Sequence, residues 1–96
     1  MAHYIAIVEA ARPDQAVGVW FPDLPGCTSA GDDLEVALRN AREALQLYAE
    51  NLDHDGKPLP RPRTLTELKT DPEFVKDLDA YSVALIELPG RVHVAN

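Results

Sequence analysis

The sequence predicts a small α+β domain in which one long helix packs on one face of an antiparallel sheet, in the order β-β-β-α-(short α)-β. Three observations lead to this fold class. β-Prone runs separated by turn residues fill the first 30 positions, an amphipathic helix follows them, and a further β-prone run lies near the end. Because 96 residues suffice for one modest core, we expect a single domain over residues 1–96.

Turn residues separate the first three predicted strands. The runs at residues 3–10 and 16–22 are rich in β-branched and aromatic residues, and Pro22 cannot donate to a central ladder. Residues 23–26, Asp-Leu-Pro-Gly, favour a tight turn. Residues 27–30 are therefore predicted to run back as a third strand.

A long helix is predicted over residues 33–54. Apolar residues recur three and four positions apart there, and most charged residues fall on the other side of the helix. Asp32 is placed to cap its N-terminus, and Glu35 follows three residues later as in a capping box. Gly56 is suited to the C-terminal cap.

The second half of the chain is predicted to hold a connector, a short helix and a last strand. Alternate prolines make residues 57–63 an extended, Pro-rich connector. Asp71 and Pro72 have the pattern of an N-cap followed by a first helical residue, which predicts a short helix over residues 72–79. The β-prone run at residues 80–88 is the fourth strand.

The first and last strands have apolar residues on both faces. In the first, Ile5 and Ile7 point to one side of the sheet and Tyr4 and Val8 to the other. One helix cannot cover both faces, so either the short helix lies on the second face or a partner or sister subunit covers it. We favour a partner, since exposed apolar surface is typical of an interface.

Composition narrows the classes of function. Sixteen acidic and nine basic residues give a net charge of −7, which disfavours free-standing nucleic-acid binding and suits a basic partner. Cys27 is the single cysteine and the histidines have no metal-ligand spacing, so we expect no metal and no cofactor. The chain contains neither a long apolar run nor a secretory signal pattern, which predicts a cytoplasmic protein without membrane attachment.

One stretch of the chain resembles the HicB antitoxin family, and the similarity extends from about Tyr4 to Leu88. The residues that carry it are Phe21, Pro22, Asp23, Leu24, Pro25, Gly26 and Cys27, followed by Gly31, Asp32, Glu35, Ala37, Asn40, Ala41, Ala44 and Leu45. The resemblance implies a partial RNase H-like fold. It also implies an antitoxin of a type II toxin–antitoxin system, which binds a HicA-like, mRNA-cleaving ribonuclease toxin and covers its active surface, here with a homo-oligomer as the expected form.

Many members of that family continue into a C-terminal domain that binds operator DNA. This sequence ends at Asn96 without a complete domain of that kind. The expectation is weak or no specific operator DNA binding by this chain alone.

A partner interface is predicted from the aromatic pair in the second strand and from the last strand. Trp20 and Phe21 are successive residues, so they point to opposite faces and only one can lie under the helix; the alternative is that both belong to the core. The predicted interface residues are Trp20, Phe21, Asp23, Leu24, Tyr81 and Val83.

Two other functions stay open from the sequence. One is an orphan relative that serves as a protein-binding adaptor without a toxin. The other is an RNase H-like nuclease, for which several carboxylates would have to converge on two metal ions. Glu9 and Asp23 are the only acids at strand ends, and Asp32 is explained by capping, so we predict no catalytic residues and no enzyme.

Overall fold

In a computed structural model the protein is an α+β domain, and its described residues form a four-stranded antiparallel sheet and three helices. The structure describes residues 2–10, 13–90 and 94–95. The elements are β1 Ala2–Glu9, β2 Val17–Trp20, β3 Thr28–Gly31, α1 Leu34–His54, α2 Leu65–Lys69, α3 Val75–Ala80 and β4 Ser82–Leu88. The predicted fold class is confirmed, and α2 is an element that the sequence reasoning missed.

The sheet has the order β3-β2-β1-β4, so β4 pairs with β1 at one edge and β3 forms the other edge. Ile7 lies opposite Trp20 on β2 and opposite Val83 on β4. Residues directly opposite one another share a face, so these three side chains lie on the same side of the sheet. We call this side the second face, and the side that carries α1 the helix face.

The helix face holds the main core. Side chains from β1, β2 and β4 form one core there with the buried stripe of α1, which consists of Ala37, Ala41 and Leu45. Tyr4 is completely buried in this layer, and its hydroxyl donates to the carbonyl oxygen of Pro60 at 2.6 Å. That bond ties the Pro-rich connector to the sheet.

The start of α1 differs from the prediction. Asp33, not Asp32, is the N-cap, and its Oδ1 accepts from the backbone N–H of Val36 at 2.9 Å. The helix begins one residue later than a cap at Asp32 requires, so Val36 rather than Glu35 occupies the third helical position. The predicted Asp32 cap and its capping box with Glu35 are therefore wrong.

At the other end of α1, the backbone departs at Gly56, as the sequence suggested. Asp55 is the C-cap, and Gly56 has a φ of 70°, in the left-handed region that glycine adopts without a steric penalty. None of the described helices is both long and apolar enough to cross a membrane.

The segment after the connector forms two short helices where the prediction had one. Thr64 and Glu67 form a reciprocal capping box that starts α2. Asp71 accepts from the backbone N–H of Glu73, but residues 72–74 form a turn and α3 begins only at Val75. The helix predicted at residues 72–79 therefore begins three residues later than expected, because Pro72 and the next two residues form a turn.

Candidate protein-binding surface

The second face of the sheet is only partly covered. Leu68 of α2, Leu78 of α3 and the half-buried Phe74 pack over Ile7 and Trp20. These contacts cover the β1 and β2 part of the face. Of the two predicted covers, a short helix or a partner, the short helices supply the one for this half.

The part of the second face that belongs to β4 is open. Tyr81, Val83 and Leu85 are 38%, 37% and 61% exposed. They alternate along an extended backbone and therefore lie on one side. We call these three residues the β4 strip.

Acidic residues flank the β4 strip. Asp77 and Asp79 belong to α3, which packs beside β4, and Asp79 is exposed. At the other end Glu87 is exposed and lies 3.2 Å from the imidazole of His3. An apolar strip with acids at both ends is complementary to an apolar protein surface rimmed by basic residues.

The aromatic pair divides between the two faces, as the alternation predicted. Phe21 is 2% exposed and lies in the core of the helix face. Trp20 is half-buried on the second face, where its indole N–H donates to Oε1 of Glu9 at 3.0 Å and its ring lies 6.1 Å from that of Phe74. Trp20 thus keeps some accessible surface, while Phe21 does not.

Trp20 also lines a shallow cleft of about 160 Å³. The cleft lies between the turn after β2 and the residues that lead into α3, Glu73 and Phe74. It is an apolar recess with one carboxylate at its side, next to the part of the second face that α3 covers.

The turn at residues 21–27 is a structural corner and not an exposed loop. Leu24 is completely buried, and the backbone closes through bonds from Leu24 N–H to Phe21 O and from Cys27 N–H to Leu24 O. Burial raises the pKa of the Cys27 thiol to about 11, which keeps it protonated and unreactive at neutral pH. Phe21 and Leu24, which the sequence predicted at an interface, are buried in the core, so their side chains offer almost no accessible surface in this chain.

Asp23 is held by an arginine 40 residues further along the chain. Its side chain is 5% exposed and accepts from the Arg63 backbone N–H at 2.7 Å and from the Arg63 guanidinium Nε at 2.6 Å. The same guanidinium donates to Asp71 at 3.0 Å and lies 5.5 Å from the Phe74 ring centre. Asp23 therefore anchors the α2–α3 segment to the turn, and its carboxylate is engaged within the chain.

This corner offers no sign of a catalytic or metal centre among the residues the structure describes. No group of three His, Cys, Asp or Glu side chains converges within residues 2–10, 13–90 and 94–95. The carboxylate of Asp23 neutralises Arg63, and that of Glu9 accepts from Trp20.

Comparison with known proteins decides the family. A model of the HicB-like antitoxin of bacterial toxin–antitoxin systems matches residues 4–96. The chain belongs to the HicB-like antitoxin family. The resemblance noted in the sequence is thereby confirmed.

Individual proteins and solved structures are also similar to this chain. An uncharacterised 14.9 kDa protein of Haemophilus phage HP1 is 34% identical over 95 residues, which cover 97% of this chain and 69% of the phage protein. The antitoxin HicB of Burkholderia pseudomallei is 27% identical with a TM-score of 0.74 over 100% of this chain and 76% of its own. The structure of a HicA3 and HicB3 toxin–antitoxin complex matches with a TM-score of 0.70 at 24% identity, over 93% of this chain and 100% of that one.

Two features of the surface escaped sequence reasoning. Leu85 is the most exposed large apolar residue of the sheet, and its alternation with Val83 was a usable signal. Arg63 had no local signal, because its two carboxylate partners are 40 and 8 residues away.

Proposed function

We propose that this chain is an antitoxin that binds a HicA-like, mRNA-cleaving toxin and neutralises it by covering its active surface. The observation that carries this proposal is the family match over residues 4–96. Support comes from the shared fold with a chain of the HicA3 and HicB3 complex. In this proposal the protein is a cytoplasmic, non-enzymatic homo-oligomer that needs no cofactor.

The proposed contact surface is the β4 strip with the exposed part of Trp20 at the far side of the same face. The strip supplies apolar area, and the flanking acids supply the electrostatic complement to a basic toxin. The net charge of −7 accelerates association with such a partner, and this acceleration decreases as salt screens the charges.

Co-expression with the adjacent gene, which in this proposal encodes a small basic toxin, tests the function. We expect that the chain restores growth and co-purifies with the toxin, and that complex formation weakens as salt increases. Failure to restore growth together with failure to form a complex would refute the antitoxin proposal and leave an adaptor for another protein as the alternative.

A pair of leucine variants tests the surface. Leu85→Asp places a charge in the β4 strip and should increase the Kd for the toxin about tenfold or more. Leu47→Asp is the matched control, because Leu47 is 58% exposed on α1, outside the strip. Equal affinities of the two variants would rule out the β4 strip as the contact surface.

A further inference from the structure

We infer that β4 pairs antiparallel with β4 of a second copy of this chain and joins two four-stranded sheets into one of eight strands. The inference deepens the homo-oligomer part of the proposed function and is independent of the toxin. It rests on the contrast between the two edges of the sheet and on the self-complementarity of one register.

The two edge strands of the sheet, β3 and β4, differ in how far other parts of the chain cover them. At the β3 edge, α1 lies against a four-residue strand, and the Asn40 side chain donates to the carbonyl oxygen of Ala30 at 2.8 Å. Ser29 in the same strand donates from its hydroxyl to Ala37 O. A short edge whose polar groups bond to a helix is a poor template for another strand.

The β4 edge has no such protection among the described residues. β4 pairs with β1 along all of its seven residues, Ser82–Leu88, and with no other described strand. It contains no proline, no lysine and no arginine, and its single charge is Glu87. Sheet edges that stay free are usually blunted by such residues, by bulges or by shortness, so this long apolar edge is suited to accept a partner strand.

One two-fold register brings the exposed apolar residues together. If the axis passes between the two Ala84 residues, Val83 of each chain lies opposite Leu85 of the other, and Tyr81 lies opposite Glu87. Each carboxylate then meets a phenol hydroxyl that can donate to it. The two Glu87 residues are six positions apart along the strand pair, about 20 Å, so like charges do not face one another.

In the same register, the side chains that meet on the helix face of the two sheets also fit together. A two-fold axis perpendicular to an antiparallel pair keeps equivalent faces on the same side, so both copies of α1 lie together. The pairs across the junction on that side are Ala84 with Ala84 and Ser82 with Ile86. These side chains are small or apolar, so the apolar layer between α1 and the sheet can extend across the junction without burying a charge.

Two measurements on the free chain test this inference. By light scattering we expect a mass of twice the 10.5 kDa of one chain. Because each chain carries a charge of −7, added salt should strengthen the dimer, whereas it weakens the proposed toxin complex. The opposite salt dependences separate failure of this inference from failure of the proposed function.

Disulfide trapping tests the register. Residues directly opposite in an antiparallel pair have Cβ atoms about 4.5–5.5 Å apart, so Ala84→Cys should cross-link two chains under mild oxidation. Glu87→Cys, at about 20 Å from its copy in this register, should not cross-link, and the unsubstituted chain controls for the buried Cys27. A monomer at all concentrations, or cross-linking of Glu87→Cys as fast as Ala84→Cys, would overturn the inference.

Discussion

The ion pair between Arg63 and Asp23 should make a large contribution to stability, and Arg63→Ala tests this. The variant removes the guanidinium from a carboxylate that is 5% exposed, while Asp23 keeps only its bond from the residue 63 backbone N–H. Breaking a buried pair by removal of one partner costs about 3–5 kcal/mol. Because the Arg63 side chain is 29% exposed and one bond survives, we expect a loss of about 2 kcal/mol, or roughly 8–16 °C in Tm.

Arg61→Ala is the matched control for Arg63→Ala. Arg61 lies in the same connector and bonds to Glu67 at 2.8 Å, but both of these side chains are well exposed. Exposed ion pairs contribute little, so the control should unfold close to the parent chain. Urea unfolding can be followed by the fluorescence of Trp20, the single tryptophan, whose ring lies near Phe74 and reports on the α2–α3 segment. Equal urea midpoints for the two variants would refute the assigned role of Arg63.

Three further predictions concern packing and pH. Gly31→Ala places a Cβ within 2.8 Å of the α1 backbone and should lower the free energy of unfolding by about 1–3 kcal/mol. Gly18→Ala is the control, because the space around its Cβ is open, and it should leave the urea midpoint nearly unchanged. Tyr4→Phe removes the donor to Pro60 O and should cost about 1 kcal/mol. Burial first, then the negative charge of Asp23, raises the pKa of Tyr4 to about 12. The parent chain should therefore lose stability as the pH rises from about 10 to 12, and Tyr4→Phe should show a smaller loss in an alkaline urea series. Hydrogen bonding from Arg61 lowers the pKa of Glu67 to about 2. Both side chains are well exposed, so this contribution is small; it is present above about pH 4.5 and lost as the pH falls to about 2, and Glu67→Gln should make the acid dependence of the urea midpoint only slightly shallower.

The sequence was most informative where local pattern and burial agree. The helical stripe of α1 and the run of β-prone residues in β1 are repeated signals, each reinforced by several residues, and they predicted two elements of the main core. The error at the start of α1 has a local cause. Two successive aspartates can each act as the cap, and the spacing of the apolar residues does not distinguish between them.

Long-range partners set the limit of prediction for the surface. Alternation placed Trp20 and Phe21 on opposite faces, but it could not say which side chain α2 and α3 would cover. The α2 helix has five residues, too few for a helical period, and only Thr64 and Glu67 signalled its start. Asp23 looked accessible in a turn because the arginine that engages it lies 40 residues away.

The distribution of apolar residues over the sheet explains why one molecule offers both a docking face and an open edge. The 21 residues of α1 cover the helix face, while α2 and α3 have 5 and 6 residues, and their buried side chains cover mainly the β1 and β2 part of the second face. β4 is the strand left beyond them, with its β4 strip on the face and its backbone at the edge. Pairing through the edge leaves the strip on the face, so two copies joined at β4 would present adjacent strips. The proposed toxin surface and the inferred self-pairing edge are therefore compatible in one assembly, and the opposite salt dependences expected for the two contacts distinguish them.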